Sequence, residues 1–284
     1  MIALNYRMVH RARMTLVSDA TPIYSPYRAD TVSIVRDGPV TIVTITRPER
    51  RNAVDSHCAE QLRQAFVDFD HDEQQAVAIL TGAEGTFCAG ADLKALSEGD
   101  RRPIPDNGPG PMGPSRLTLS KPVIAAVEGF AVAGGVELAL WCDLRVAAED
   151  AIFGVFERRF GVPLCDLGTV RLPRIIGHGR ALDIILTGRA VESAEALQMG
   201  LWNRVVAPGT TLQASVDLAH QLAALPQFCL RSDRMSVLEQ WGLTEEEAAV
   251  NEARRGRAVI DSGEALEGAR RFAGGAGRQG TSLA

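Results

Sequence analysis

The stretch from Ala131 to Gly161 reads AVAGGVELALWCDLRVAAEDAIFGVFERRFG. Its apolar first half holds one carboxylate, Glu137, and Glu157 follows beyond AIFG. A glutamate in a run meant for burial costs several kcal/mol unless it is hydrogen-bonded or neutral. Burial pushes such a pKa toward neutrality, where a carboxyl group is best suited to moving protons. Two small-residue turns accompany these acids. GTFCAGADL places Gly90, Ala91 and Asp92 after a strand, and AVAGGVEL places Gly134 at the start of a helix. Small residues allow a backbone N–H to approach a ligand closely. Two such donors from separate turns, one at a helix N-terminus, make a site for a developing oxyanion such as an enolate. Each motif alone is weak. A turn glycine needs no ligand, and either glutamate is read equally well as the partner of a neighbouring arginine such as Arg158 or Arg159.

The elements that must position these groups follow from patterning. TVSIVRDGPVTIVTITRP holds two β-rich runs around Asp37-Gly38, a hairpin signal. Asp55 or Ser56 caps a helix in which Ala59, Leu62, Phe66 and Phe69 recur at helical spacing, and AVAILTG then reads as a buried strand. A second unit begins with the strand KPVIAAVEG, enters a helix at Gly134-Gly135 and continues into the strand LRVAA. Helical patterns take over at GRALDIILTGR and SAEALQMGL, and from residue 211 only helices are expected, one opened by Thr244 and Glu247 at capping-box spacing. Residues 97–115 are too rich in Pro and Gly for regular structure and read as a surface loop. Domain limits are expected at 1–30, 31–210 and 211–284.

Composition excludes several classes. The chain has 284 residues, 46% of them hydrophobic, enough for a large buried core. Thirty Lys and Arg against 35 Asp and Glu leave a net charge of −5, which offers no basic field to nucleic acid or anionic membrane. Five cysteines (58, 88, 142, 165 and 229) form no Cys-x-x-Cys pair and no zinc spacing, so a reducing, cytoplasmic location is expected and no metal. No apolar run reaches the roughly 20 residues of a membrane helix. The Arg-rich residues 1–30 resemble a transit peptide, and we read them as a disordered leader or the product of an upstream start codon. GPGPMG (108–113) and GAGRQG (275–280) match Gly-x-Gly-x-x-Gly by chance, since neither follows a strand and opens a helix. His57 and His71 fall near helix ends as surface or capping groups.

Together, RPERRNAV, FCAGADLK, KPVIAAVEG, AGGVELALWCD, FGVFE, GTVRLPR and SAEALQMGLWNRVV resemble the crotonase (enoyl-CoA hydratase/isomerase) superfamily over about residues 31 to 272. The resemblance implies an α/β fold, a crotonase-like spiral of β-β-α repeats with a helical C-terminal oligomerisation segment, assembled as a homotrimer or as a hexamer of paired trimers. It implies an acyl-CoA thioester substrate and no cofactor, coenzyme A being part of the substrate. By position, Ala91 and Gly134 match the backbone donors of the oxyanion hole, and Glu137 and Glu157 match the hydratase's two catalytic glutamates. Ala53, Asp92, Leu93, Lys94 and Asp166 match substrate-binding positions. Lys94 is the first choice for a phosphate contact, with Arg50 and Arg51 behind it, and loop 97–115 is placed to influence chain-length preference.

One departure is Cys165-Asp166, where typical hydratases have a small Gly-based pair. A third carboxylate there is similar to the DxGTxxRLP pattern of dienoyl-CoA isomerases with a one-residue shift. Those isomerases tend to have aspartate in place of Glu137. Hydratase is therefore the first expectation, enoyl- or dienoyl-CoA isomerase the second, and a non-catalytic acyl-CoA-binding or RNA-binding relative the third. Asp166 is expected to pair with Arg171 or Arg174 outside the pocket, because a charge against an apolar acyl chain is costly.

Overall fold

The computed structural model describes residues 31–275. The strands are β1 (Val32–Asp37), β2 (Val40–Ile45), β3 (Val77–Gly82), β4 (Val123–Val127), β5 (Phe130–Val132), β6 (Leu144–Ala148), β7 (Ile152–Gly154), β8 (Val191–Glu192) and β9 (Arg204–Val206). The helices are α1 (Ser56–His71), α2 (Leu93–Ser97), α3 (Gly134–Trp141), α4 (Gly168–Ile176), α5 (His178–Thr187), α6 (Ser193–Gln198), α7 (Thr211–Ala223), α8 (Gln227–Glu239), α9 (Glu245–Asp261) and α10 (Glu264–Ala273). The helical start expected at Asp55 or Ser56 is capped by Asp55, which accepts from Cys58 N at 2.9 Å. The leader expected over 1–30 lies outside the described residues.

β1 and β2 form the hairpin, turning at Gly38 with φ +55°. From β2 onward the neighbours are parallel, giving the order β1-β2-β3-β4-β6-β9, and a small second sheet runs β5-β7-β8. Each turn of chain leaves the large sheet and passes through a second layer. There, Cys88 bridges Ala131, and Ala131 in turn pairs with Phe153. Successive turns therefore stack into a spiral, and the segments that follow β3, β4 and β6 lie side by side. This stacking brings Gly90 beside Gly134 although 44 positions of sequence separate them.

The main core joins α1, the inner faces of both sheets, α3 and the α4–α6 helices, with Phe66, Phe87, Leu138, Phe153 and Trp202 buried. A second cluster lies on the opposite face of the large sheet. Leu218 and Ala219 of α7 pack there on Val40, Val77, Ile79, Ile124 and Val146. α7, the first helix beyond the limit expected at 210–211, thus covers a face of the large sheet. Only α8 to α10 stand apart, with Thr244 and Glu247 forming the expected capping box on α9. Arg234 ties α8 back to the core through Asp143 Oδ1 (2.8 Å) and Leu119 O (2.6 Å). Val237, Trp241, Val250, Ile260, Leu266 and Phe272 are exposed on this segment in the single chain. No helix among the described residues is long and apolar enough to cross a membrane.

Candidate active site

The turn after β3 is shaped before any ligand is considered. Asn52 accepts from Arg47 N and donates to Ala83 O and Thr86 O. Gly90 adopts φ +91°, and a Cβ on it would fall 2.6 Å from Ala133 Cβ and 2.7 Å from Gly134 N. Only glycine fits there. Val54 N donates to Gly90 O, and Asp92 N donates to Val54 O. The intervening Ala91 N–H is thus turned away from this bridge, and it meets no acceptor among the described residues. Gly134 begins α3, so its N–H lies outside the helical ladder and carries the positive end of the helix dipole. The preceding Ala133, at φ +53° and ψ −128°, holds the strained turn that aims it. Ala91 and Gly134 line one pocket of about 140 Å³, together with Leu93, Glu137, Glu157 and Asp166.

Glu137 lies one turn into α3 and is 2% exposed. Its Oε1 accepts from Asp166 N and Gly168 N, both at 2.8 Å. Gly168 can come so near only because it lacks a side chain, a Cβ falling 2.8 Å from that oxygen. Burial, and next the charge of Asp166, push the Glu137 pKa to about 7 against the pull of the two amides. Glu157 sits in a 3-10 turn over Phe156–Phe160. Among the described residues neither of its carboxylate oxygens finds a hydrogen-bond partner, and burial raises its pKa to about 7. The arginine partners are not made: Arg158 donates to Ile185 O, while Arg159 donates to Gly188 O and lies over the Phe156 ring.

The structure separates the remaining sequence candidates. Asp92 lies at the turn, but its carboxylate caps α2 through Lys94 N and Ala95 N and accepts from Arg47 Nη2 at 2.9 Å. Burial would raise its pKa, and the bonds from Ala95 N and Arg47 outweigh this and hold it low. Ala53 is buried, and its carbonyl accepts from Arg47 Nη1. Lys94 is exposed on α2, and Arg51 is exposed before Ala53. The chain's other lysine, Lys121, is buried and donates to Phe69 O and Asp72 O.

Two expectations are corrected. Asp166 does not pair with Arg171 or Arg174 outside the pocket. Arg171 reaches only its backbone oxygen, at 3.3 Å, and Arg174 stacks on Trp241. The Asp166 carboxylate is 1% exposed at the pocket wall, where Met112 N (3.0 Å) and the Ser115 hydroxyl donate to it. Loop 97–115 is also not a surface loop throughout, because residues 110–115 are buried. Two residues were missed. Arg47 had a signal, since it opens the quoted RPERRNAV segment; Met112 had none beyond its place in a Pro/Gly-rich run.

The spiral and this pocket define a class. Residues 36–275 match the family described as Enoyl-CoA hydratase/isomerase, and the chain belongs to that family, within the crotonase superfamily. It is 38% identical over 247 residues to enoyl-CoA hydratase EchA19 of Mycobacterium tuberculosis, covering 84% of this chain and 92% of that protein. It is also 38% identical over 258 residues to carnitinyl-CoA dehydratase of Salmonella arizonae, covering 86% and 96%. The crystal structure of an enoyl-CoA hydratase from Mycobacterium tuberculosis superposes with a TM-score of 0.81 at 36% identity, covering 86% of this chain and 95% of that one.

Proposed function

We propose that the protein hydrates a trans-2-enoyl-CoA thioester, and by reversal dehydrates the 3-hydroxyacyl product. The observation that carries this reading is the meeting of two buried carboxyls titrating at about 7 with two uncommitted backbone N–H groups in one pocket. The thioester oxygen accepts from Ala91 N and Gly134 N, which stabilise the enolate as it forms. Glu137 and Glu157 flank one water. Its oxygen bonds to C3, one of its protons passes to a glutamate, and a glutamate returns a proton to C2, so the elements of water are added without a redox change. Lys94, exposed on α2 beside this turn, supplies a positive charge for the coenzyme's phosphates. The exposed apolar residues of α8 to α10 support a homo-oligomer.

Isomerisation of a dienoyl-CoA is the second reading, favoured by the presence of Asp166 at the pocket wall. Against it, that carboxylate already accepts two hydrogen bonds from Met112 N and the Ser115 hydroxyl. Incubation with crotonyl-CoA and with a 3,5-dienoyl-CoA, followed by product analysis, tests both. Formation of 3-hydroxybutyryl-CoA supports hydration. A shifted diene alone supports isomerisation, and binding with neither product would leave a non-catalytic acyl-CoA binder.

A further inference from the structure

Asp166 anchors the end of the Pro/Gly-rich loop through one oxygen of its carboxylate. Its Oδ1 accepts from Met112 N and from the Ser115 hydroxyl, and Gly110 passes so close that a Cβ there would overlap both Ser115 Oγ and Asp166 Oδ1. Arg116 adds two further ties, donating to Pro105 O at 2.6 Å and to Cys165 O at 2.9 Å, and Arg102 donates to Pro111 O. A Pro/Gly-rich segment without a ladder of its own is thereby fixed to Cys165-Asp166.

The side chain this latch seats is Met112. It is 2% exposed, lines the pocket and lies 2.6 Å (Sδ) from where a Cβ of Gly134 would stand. A methionine on a free loop would adopt many rotamers. The Sδ, Cε and Cγ of Met112 would stand 2.6, 2.9 and 3.1 Å from that Cβ, so Met112 fills the pocket right up to the glycine.

We infer that Asp166 is a positioning residue which, by latching Met112 and Ser115, fixes Met112 as the end wall of the acyl pocket and restricts the enzyme to short-chain enoyl thioesters. This rests on the hydratase reading for its substrate, but the latch is measurable without turnover. Its chemistry also differs from proton transfer: it needs an oxygen that accepts two hydrogen bonds, not a titratable group.

The test compares crotonyl-CoA with trans-2-dodecenoyl-CoA by kcat/KM, and butyryl-CoA with dodecanoyl-CoA by calorimetric Kd, in wild type, Asp166→Ala, Asp166→Asn, Ser115→Ala and Met112→Ala. Wild type is expected to favour the short chain by about tenfold or more, and Asp166→Ala and Met112→Ala to lower that ratio by about tenfold. Asp166→Asn keeps the acceptor oxygen and is expected to hold the ratio within about threefold of wild type. The inference is overturned by a wild type without chain-length preference, by an unchanged ratio in both alanine variants, or by an asparagine variant that behaves like Asp166→Ala. If crotonyl-CoA is not hydrated at all, the hydratase reading fails while the ratio of Kd values still decides the latch. Should Asp166→Ala not fold, Ser115→Ala and Met112→Ala carry the same comparison.

Discussion

The backbone N–H of Asp166 donates to Glu137 Oε1 at 2.8 Å, while the carboxylate of the same residue pushes the Glu137 pKa up. One residue thus holds the glutamate in place and opposes its ionisation.

Glu137→Gln keeps an oxygen for the amides of Asp166 and Gly168 but removes the titratable group. Under the proposed mechanism kcat for crotonyl-CoA should fall about 10²-fold or more with KM little changed, and Glu157→Gln should do the same. Near wild-type turnover in both variants would refute paired-glutamate catalysis.

Glu137 and Glu157 keep their protons in the folded chain up to about pH 7, whereas the unfolded chain releases them near 4.5. The stability tied to these two protons is fully present below pH 4.5 and is lost as pH rises to 7, by about 3 kcal/mol for each group. Relative to wild type, Glu157→Gln should therefore gain several degrees in Tm between pH 5 and pH 8. Calorimetric scans across that range check it, and a pH-independent difference would show that Glu157 does not titrate as described.

Gly134→Val places a Cβ 2.6 Å from Met112 Sδ, so the latched methionine must shift locally to admit it. The fold should survive, with an unchanged circular dichroism spectrum. Crowding the N–H of residue 134 should cost about 10²- to 10³-fold in kcat. Full activity would make Gly134 a packing glycine only.

Arg47 is buried between Asp55 Oδ2 at 3.0 Å and Asp92 Oδ2 at 2.9 Å. Arg47→Met leaves two buried carboxylates without their cation and should destabilise the fold by about 3–5 kcal/mol in urea titration. A loss within about 0.5 kcal/mol, the scale of ordinary surface changes, would mean that water replaces the guanidinium.

The glutamates and glycines were legible because each breaks a local rule: an acid in an apolar run, or a small residue where a strand hands over to a turn. Asp166 was misplaced because its donors, Met112 and Ser115, lie 54 and 51 residues away, beyond the reach of local pattern. The small second sheet escaped notice because strands of two or three residues carry no periodicity. The packing of α7 on the large sheet was hidden for a related reason. An amphipathic helix such as α7 shows that it has a partner without showing which one.

The burial of Lys121 leaves Lys94 as the one exposed side-chain amine among the described residues, since the sequence contains only two lysines. Reagents that acylate lysine side chains should therefore find a single exposed address among the described residues, on the short helix beside the candidate pocket. A dye coupled at Lys94 would turn that scarcity into an optical reporter, its emission following whatever enters or leaves beside α2.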